Sequence, residues 1–507
     1  MTYKIKSLEK LKIEVKKLKN KKKKIVLCHG VFDLLHIGHI KHFEQAKKQG
    51  EILVVSITPD KYVNKGPQRP AFSERQRLDA LAALQIIDYV CLNTTQTATN
   101  VIYKIKPNIY CKGPDYKKFR NDLSGEIKNE LKAIKKVNGK IFFTKDETYS
   151  SGKLINKYSN IFTQKQKNFL NKIKRKYSFN KIKILIDKLK TLKVLVIGET
   201  IIDQYVFCDA LGKSGKEPIL VLREMESEEY LGGAAAICRH LSSFCKNVTL
   251  LSMIGEKKEY LKKIKTNLPK NIFFEYINKK NSPTIVKKRY LDHVGNNKVI
   301  GVYKINDENL ADKDENNFHQ KLKYLLPKHD LVIVSDYGHG LISKASAKII
   351  KNKSKYLALN AQINAANIGY HSMRKYFNTH CVIINEKEIR HEMRDKNSDI
   401  KKLMKSISNI QKIKNVIVTR GDNGSIIFDK SKNSFIECDA YAEKKVDKIG
   451  AGDTMLSLVA LCLKSNFDKG LALLIGSLAA AQSVEGIGNK EAIKKIKILK
   501  TLENILK

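Results

Sequence analysis

The chain has 507 residues, 42% of them hydrophobic, and a formal net charge of +45. That length exceeds what one ordinary core holds, so two domains or three are expected, with apolar residues enough for globular cores. The 9 Cys include no Cys-x-x-Cys pair, and no apolar run reaches about 18 residues, which argues against a disulfide framework, a zinc site, a signal peptide and membrane insertion, and for a reducing cytoplasm.

Residues 1–23 are a basic leading segment whose first 20 positions predict a charged amphipathic helix. The Lys21–Lys24 run reads as a solvated lead-in to the first strand. Only 12 of the 96 Lys+Arg are Arg, and the lysines are scattered along the whole chain. Nucleic-acid readers concentrate Arg in a patch or carry a known module. No specific nucleic-acid partner is therefore expected, although the charge attracts polyanions weakly.

From 24 to 157 short β-rich runs alternate with helical segments. Strands are expected at Ile25–Cys28, Ile52–Ile57, Tyr89–Cys91, Ile109–Lys112 and Lys140–Phe143. Helices are expected at Ile40–Lys48, Ser73–Leu84, Thr99–Lys104 and Gly125–Lys136. That alternation predicts a parallel, doubly wound α/β sheet. Residues 158–190 read as a Lys-rich helical linker, and residues 191–507 as a second α/β domain. Its strands fall near Val194–Ile197, Val248–Met253, Leu331–Ser335, Tyr356–Leu359, Val382–Ile384, Val416–Thr419 and Ser425–Phe428. Tyr205–Glu224 and Thr284–Tyr303 look like a small β lid.

His36-Ile37-Gly38-His39 stands between the first strand and a helix. Glycine lets a backbone approach phosphates, and a helix start offers N–H groups and a positive dipole end. Histidine can donate to the charge growing on an α-phosphate under attack. The plainer readings are two surface histidines or a metal pair. Downstream, Lys65 is either a phosphate contact or ordinary loop charge. Lys112 ends a strand, where α/β sheets bind ligands. Asp33 either orients a substrate or holds its turn.

Together with Gly30-Val31-Phe32-Asp33, Arg69-Pro70, Ser73-Glu74-Arg75-Gln76-Arg77, Lys112-Gly113-Pro114-Asp115-Tyr116 and Tyr149-Ser150-Ser151, this set resembles the cytidylyltransferase-like nucleotidyltransferases, with their Rossmann-like fold. The resemblance implies that Gly30, Phe32, Gly38, Lys112, Ser150 and Ser151 serve the nucleotide and that Arg77 binds phosphate. Gly152 replaces one hydroxyl residue of the last motif. Catalysis would be positioning plus charge neutralisation by His36, His39, Lys65, Arg77 and a magnesium ion, since the attacking group is already an anion. Lys-Gly-Pro-Asp-Tyr is close to the Lys-Gly-Gly-Asp-Tyr of ADP-heptose synthases, which favours ATP over CTP.

Lys448-Ile449-Gly450-Ala451-Gly452-Asp453-Thr454 precedes a helical pattern. A Gly-Ala-Gly turn at a helix start makes an anion hole for a transferring phosphoryl group. Asp453 beside it can accept the proton of an attacking hydroxyl. The plainer reading is a helix cap with flexible glycines.

In order with Gly198-Glu199-Thr200-Ile201-Ile202-Asp203, Gly232-Gly233-Ala234-Ala235, Ser335-Asp336-Tyr337-Gly338, Asn385-Glu386-Lys387-Glu388 and Thr419-Arg420-Gly421-Asp422-Asn423-Gly424, the motif resembles the ribokinase/PfkB carbohydrate kinases. The resemblance implies a sugar site at Asp203, Gly232, Gly233 and Asp336. It puts ATP contacts at Asn385, Glu388, Thr419, Gly421, Gly424, Gly450, Ala451 and Gly452, and makes Glu388 a magnesium ligand. Asn385 and Glu388 read otherwise as a helix cap, and Asp336 as a turn former. Ala236, Lys448 and Asn360 depart from the family's pattern around the sugar pocket.

A sugar kinase joined to a nucleotidyltransferase resembles the bifunctional heptose 7-phosphate kinase / heptose 1-phosphate adenylyltransferases, here with the order reversed. That implies a sugar phosphate and ATP as substrates, surface-polysaccharide synthesis, and a homodimer through the lid. The alternatives are a cytidylyltransferase fused to a kinase for another sugar, or a basic protein that binds RNA or membrane surfaces on reused enzyme folds.

Overall fold

The computed structural model describes residues 2–63, 69–114, 125–145, 162–442 and 445–506. The chain divides into two compact units, one comprising Met1–Leu170 with Leu499–Lys507 and the other Asn171–Ile498.

In the first unit, β1 (Ile25–Gly30), β2 (Ile52–Ile57), β3 (Tyr89–Leu92), β4 (Ile109–Lys112) and β5 (Lys140–Phe143) form a parallel sheet in the order β3-β2-β1-β4-β5. These strands are apolar on both faces because helices cover both. Val26, Cys28, Leu53 and Val55 enter one core with Phe43 and Leu81, whereas Ile25, Leu27 and Val54 enter another with Val101 and Ile134. The leading helix α1 (Leu8–Asn20) is capped by Ser7 and puts Leu8, Leu11 and Val15 into the second core. Helix α2 (Ile37–Lys47) begins earlier than its apolar spacing suggests, because the His36 imidazole caps it by accepting from the N–H of Gly38 at 3.1 Å.

The second unit is built on a 9-stranded sheet. It comprises β6 (Lys193–Gly198), β9 (Asn247–Gly255), β10 (Ile272–Lys279), β13 (Leu331–Asp336), β14 (Leu357–Ala361), β15 (Cys381–Asn385), β16 (Asn415–Thr419), β17 (Ser425–Asp429) and β18 (Ser434–Cys438). Its order is β10-β9-β6-β13-β14-β15-β16-β17-β18, parallel except for the pairs β16–β17 and β17–β18. Sequence spacing misses the two edge strands, β10 and β18. Edge strands are half-solvated and lack a continuous apolar run; Phe273 of β10 is 59% exposed. A separate sheet, β12-β11-β7-β8, comprises β7 (Thr200–Lys213), β8 (Leu220–Gly232), β11 (Val286–Asp292) and β12 (Lys298–Lys304), and forms the expected lid. Among the described residues no helix is long and apolar enough to cross a membrane.

Candidate active sites

The second unit holds a cleft of about 1120 Å³. Asp203, Gly233, Asn385, Glu388, Thr419, Gly421, Gly424, Gly450, Ala451, Gly452 and Asp453 all line it, so residues from distant parts of the sequence meet on one surface. Asp453 is in the first turn of the helix Ala451–Lys464, with Gly450 at the cap position. Gly450 has φ +85°, and a Cβ there would stand 2.3 Å from Asn489 Oδ1. Gly452 faces open space, with nothing within 4 Å of where its Cβ would be. The first-turn N–H groups of such a helix have no intrahelical acceptor and attract an anion.

The hydroxyl of Tyr337 donates to Asp453 Oδ1 at 2.8 Å. Burial pushes the Asp453 carboxyl up to about 7; the Tyr337 hydroxyl works against that, while Asp203 and Glu388 add to it. A carboxylate near neutrality is a suitable general base. Tyr337 itself is locked in place. Its N–H donates to Glu199 at 3.0 Å, and its carbonyl accepts from Asn364 and Asn367, each at 2.8 Å.

On the side of the cleft lined by the lid sheet, Asp203 is buried and accepts from Arg289 at 2.6 Å. Gly232 lies behind it: a Cβ at Gly232 would stand 2.1 Å from Asp203 Oδ2. Lys287 and Arg289 lie two apart on β11 and so share the face of the strand that lines the cleft. Lys287 is only 7% exposed, and its ammonium lies 5.6 and 5.7 Å from the Tyr303 and Tyr337 ring centres. No carboxylate pairs with Lys287 among the described residues, and burial lowers its pKa despite Asp203. Sequence reasoning passed over Lys287, Arg289 and the role of Tyr337. The alternating cations of β11 were the available signal for the first two.

Asn385 and Glu388 form a reciprocal capping box, with Asn385 N–H donating to Glu388 at 2.9 Å and Glu388 N–H to Asn385 Oδ1 at 2.8 Å. Both also face the cleft. Glu388 has no ion pair among the described residues, and burial lifts it to about 7. A buried carboxylate that faces the cleft without an ion pair offers oxygens of the kind magnesium takes.

Asp336 does not line the cleft. It is 1% exposed, bound to Tyr376 Oη and Lys375 Nζ at 2.7 Å each, and accepts from the N–H of Gly338 at 3.1 Å. Although burial opposes ionisation, Lys375 and His371 hold it below the usual carboxylate range. This matches the turn-forming reading rather than sugar contact. Of the three departures from pattern, Asn360 and Lys448 line the cleft, whereas Ala236 is buried in the helix Gly233–Leu241.

In the first unit, the His36 and His39 rings stack with centres 3.9 Å apart. Phe32, at φ +46°, lays its ring edge-on to His39 at 5.4 Å. Gly30 makes room for that ring, since a Cβ there would come within 3.0 Å of Phe32 Cζ. Gly38 lies between the two histidines at the head of α2.

Three expected ligand contacts are corrected here. Asp33 is 4% exposed and accepts from the N–H groups of Ala71 and Phe72 at 2.9 and 3.0 Å, so it holds the turn. Arg77 is buried and donates to the carbonyls of Phe72, Val31 and Thr58 and to Asp60 Oδ1 at 2.6 Å. Its guanidinium ties three backbone segments together rather than facing a phosphate. Lys112 is buried against Glu130 at 3.0 Å, where a carboxylate compensates its desolvation. Lys65, Ser150 and Ser151 lie outside the described residues.

Comparison with known proteins agrees with this division. Residues 191–496 match the pfkB family carbohydrate kinase description, and residues 27–157 match the cytidylyltransferase-like family. The bifunctional protein HldE of Aliarcobacter butzleri (strain RM4018) is 39% identical over 139 residues, covering 27% of this chain and 29% of that protein. The bifunctional protein HldE of Campylobacter jejuni subsp. jejuni serotype O:6 is 26% identical over 301 residues, covering 59% of this chain and 62% of its own length. Each alignment thus spans less than two thirds of the relative. Among solved structures, the phosphofructokinase-2 of Escherichia coli in complex with potassium shares the fold with a TM-score of 0.51 at 14% identity, covering 62% of this chain and 100% of that one.

Proposed function

The chain belongs to the pfkB family of carbohydrate kinases, and on that premise we propose that it catalyses two steps of sugar-nucleotide synthesis, one in each unit, with a separate phosphatase removing the second phosphate between them. The second unit phosphorylates a phosphosugar, heptose 7-phosphate at O1 by resemblance, with ATP. The first transfers AMP from ATP to a sugar 1-phosphate and releases pyrophosphate.

The observation that carries the reading is the position of Asp453, at the head of a glycine turn and a helix N-terminus, in a cleft. The sugar hydroxyl oxygen attacks the terminal phosphorus of ATP. Its proton passes to the Asp453 carboxylate, the bond to the bridging oxygen breaks, and ADP leaves. The N–H groups at Gly450, Ala451 and Gly452 receive the charge on the moving phosphoryl group. Asp203, held by Arg289, accepts sugar hydroxyls. Lys287 supplies an unpaired cation for an anionic substrate, which supports a phosphosugar over a neutral one. Glu388, with Asn385 beside it, would hold magnesium, which neutralises nucleotide phosphates when bound.

In the first unit the attacking oxygen belongs to a phosphate and needs no base. His36 and His39 donate toward the α-phosphate and α2 directs its positive end there. A cytoplasmic location and a dimer through the lid belong to the same proposal. Ile300 and Val302, two apart on one face of β12, are 53% and 52% exposed, apolar surface that a second copy would cover.

Product mass spectrometry with ATP or CTP against a panel of sugar phosphates tests the reading. ADP with a sugar bisphosphate, and pyrophosphate with an ADP-sugar, are expected. Turnover with CTP alone would reassign the first unit, and no turnover with any phosphosugar would overturn the scheme.

A further inference from the structure

We propose that Cys28, His42 and Cys111 form a binding site for one zinc-class divalent cation in the first unit. Sequence spacing hides this site, because its ligands come from three elements. Cys28 of β1 and Cys111 of β4 are direct partners across the parallel pairing of the two strands. His42 comes down onto them from α2, and the three ligand atoms all lie within 4.8 Å of one another.

The donor set decides the metal class. Two thiolates and an imidazole are soft to borderline donors, suited to zinc and unsuited to magnesium or calcium. Metal–sulfur and metal–nitrogen bonds of about 2.3 and 2.0 Å put tetrahedral ligand atoms under about 4 Å apart, so the site closes with a contraction of about 1 Å or less.

Charge also balances. Both thiols are fully buried in an apolar core with Phe43 and Val55. Two thiolates neutralise a divalent cation, so the complex carries no net charge into that core. Two thiol protons pass to solvent on binding, and affinity therefore rises with pH. His42 Nδ1 lies 3.3 Å from Thr144 Oγ1. That hydroxyl can accept from an Nδ1–H and orient the ring, the part that a carboxylate, backbone carbonyl or water usually plays for metal-bound imidazoles.

The site would brace the proposed nucleotidyl-transfer centre. His42 is one turn beyond His39 on α2, and the Phe32 ring lies against both, 5.4 Å from His39 and 6.5 Å from His42. A bound cation would pin α2 to the sheet at the point where its histidines are presented. Three protein ligands leave a fourth position for water, as in an open site.

The test uses the full chain, loaded with zinc, dialysed and assayed by elemental analysis. In parallel, the cobalt-substituted protein is examined for sulfur-to-metal charge-transfer absorption. One equivalent of zinc, a charge-transfer band, and a melting temperature that falls on chelation are expected. The double variant Cys28→Ser/Cys111→Ser should lose all three, while Cys462→Ser in the other unit keeps them. Should the double variant fail to fold, His42→Ala tests the same point and should lower zinc affinity at least tenfold. Zinc content equal in wild type and double variant, with no charge-transfer band, would overturn the proposal. So would a thiol count in denaturant showing Cys28 joined to Cys111 as a disulfide.

Discussion

Tyr337 donates its hydroxyl to Asp453 at 2.8 Å while its own backbone is clamped by Glu199, Asn364 and Asn367. The clamp fixes the tyrosine, and the tyrosine fixes one oxygen of the proposed base. The other oxygen is left for the sugar hydroxyl. Asp453→Asn keeps this shape and removes the basicity. We expect phosphorylation to fall by about 10³-fold or more, with nucleotidyl transfer unchanged. Product assays for both steps on one preparation check it; loss of both activities would contradict independent sites.

The same contact sets the pH dependence. Burial places the Asp453 carboxyl near 7, so below that pH the base is protonated and cannot accept the hydroxyl proton. The kinase kcat/KM should fall about tenfold per unit on the acid side of pH 7. The Tyr337 hydroxyl favours the ionised form, so Tyr337→Phe should move the acid limb to higher pH. A profile with its limb unmoved, or moved down, would separate Tyr337 from the base.

His36 and His39 stack at the head of α2 with Phe32 behind them. His36→Ala and His39→Ala should each cut pyrophosphate release by on the order of 10²–10³-fold, leaving the kinase intact. Because His36 also caps α2, His36→Asn is the better control. Asparagine restores the cap but not the imidazole, so melting should recover without activity.

Arg77 is expected to matter for folding rather than for phosphate. It joins Phe72, Val31, Thr58 and Asp60 through a buried guanidinium. Arg77→Met should destabilise the first unit by about 2–4 kcal/mol, since buried carbonyls lose their donor. Urea unfolding followed in the first unit measures this. A variant of normal stability but raised KM for ATP would restore the phosphate role.

These cases show what the sequence made legible. Gly450–Asp453 and His36–His39 are continuous in the chain, and the chemistry proposed for them depends on local backbone, so type and spacing alone point to it. Asp33, Arg77, Lys112 and Asp336 are charged residues near the motifs. A charge aimed at a ligand and a charge aimed at a buried partner within the fold look alike until packing is known. Lys287 and Arg289 reach the cleft through the register of the lid, and Cys28 meets Cys111 through the register of β1 and β4. No spacing rule reports such pairings. Helix and strand positions were the easiest part, because apolar runs buried on two faces leave little choice of element.

The two glycines of the proposed phosphate turn should separate under substitution. Gly450 adopts φ +85°, and an added Cβ would stand 2.3 Å from Asn489 Oδ1. Gly450→Ala therefore strains the backbone and collides with a neighbour at once, and both melting temperature and kinase rate should drop. Gly452 has ordinary φ and open space where its Cβ would point. Gly452→Ala should leave melting unchanged, since nothing in the folded chain is displaced. Its methyl would instead occupy the cleft beside Asp453, where the phosphoryl group is proposed to pass. We expect KM for ATP to rise or kcat to fall at least tenfold with full stability. Calorimetry paired with kinase kinetics distinguishes the two variants. Wild-type kinetics for Gly452→Ala would move the transferring phosphate away from the head of this helix, and with it the role assigned to Asp453.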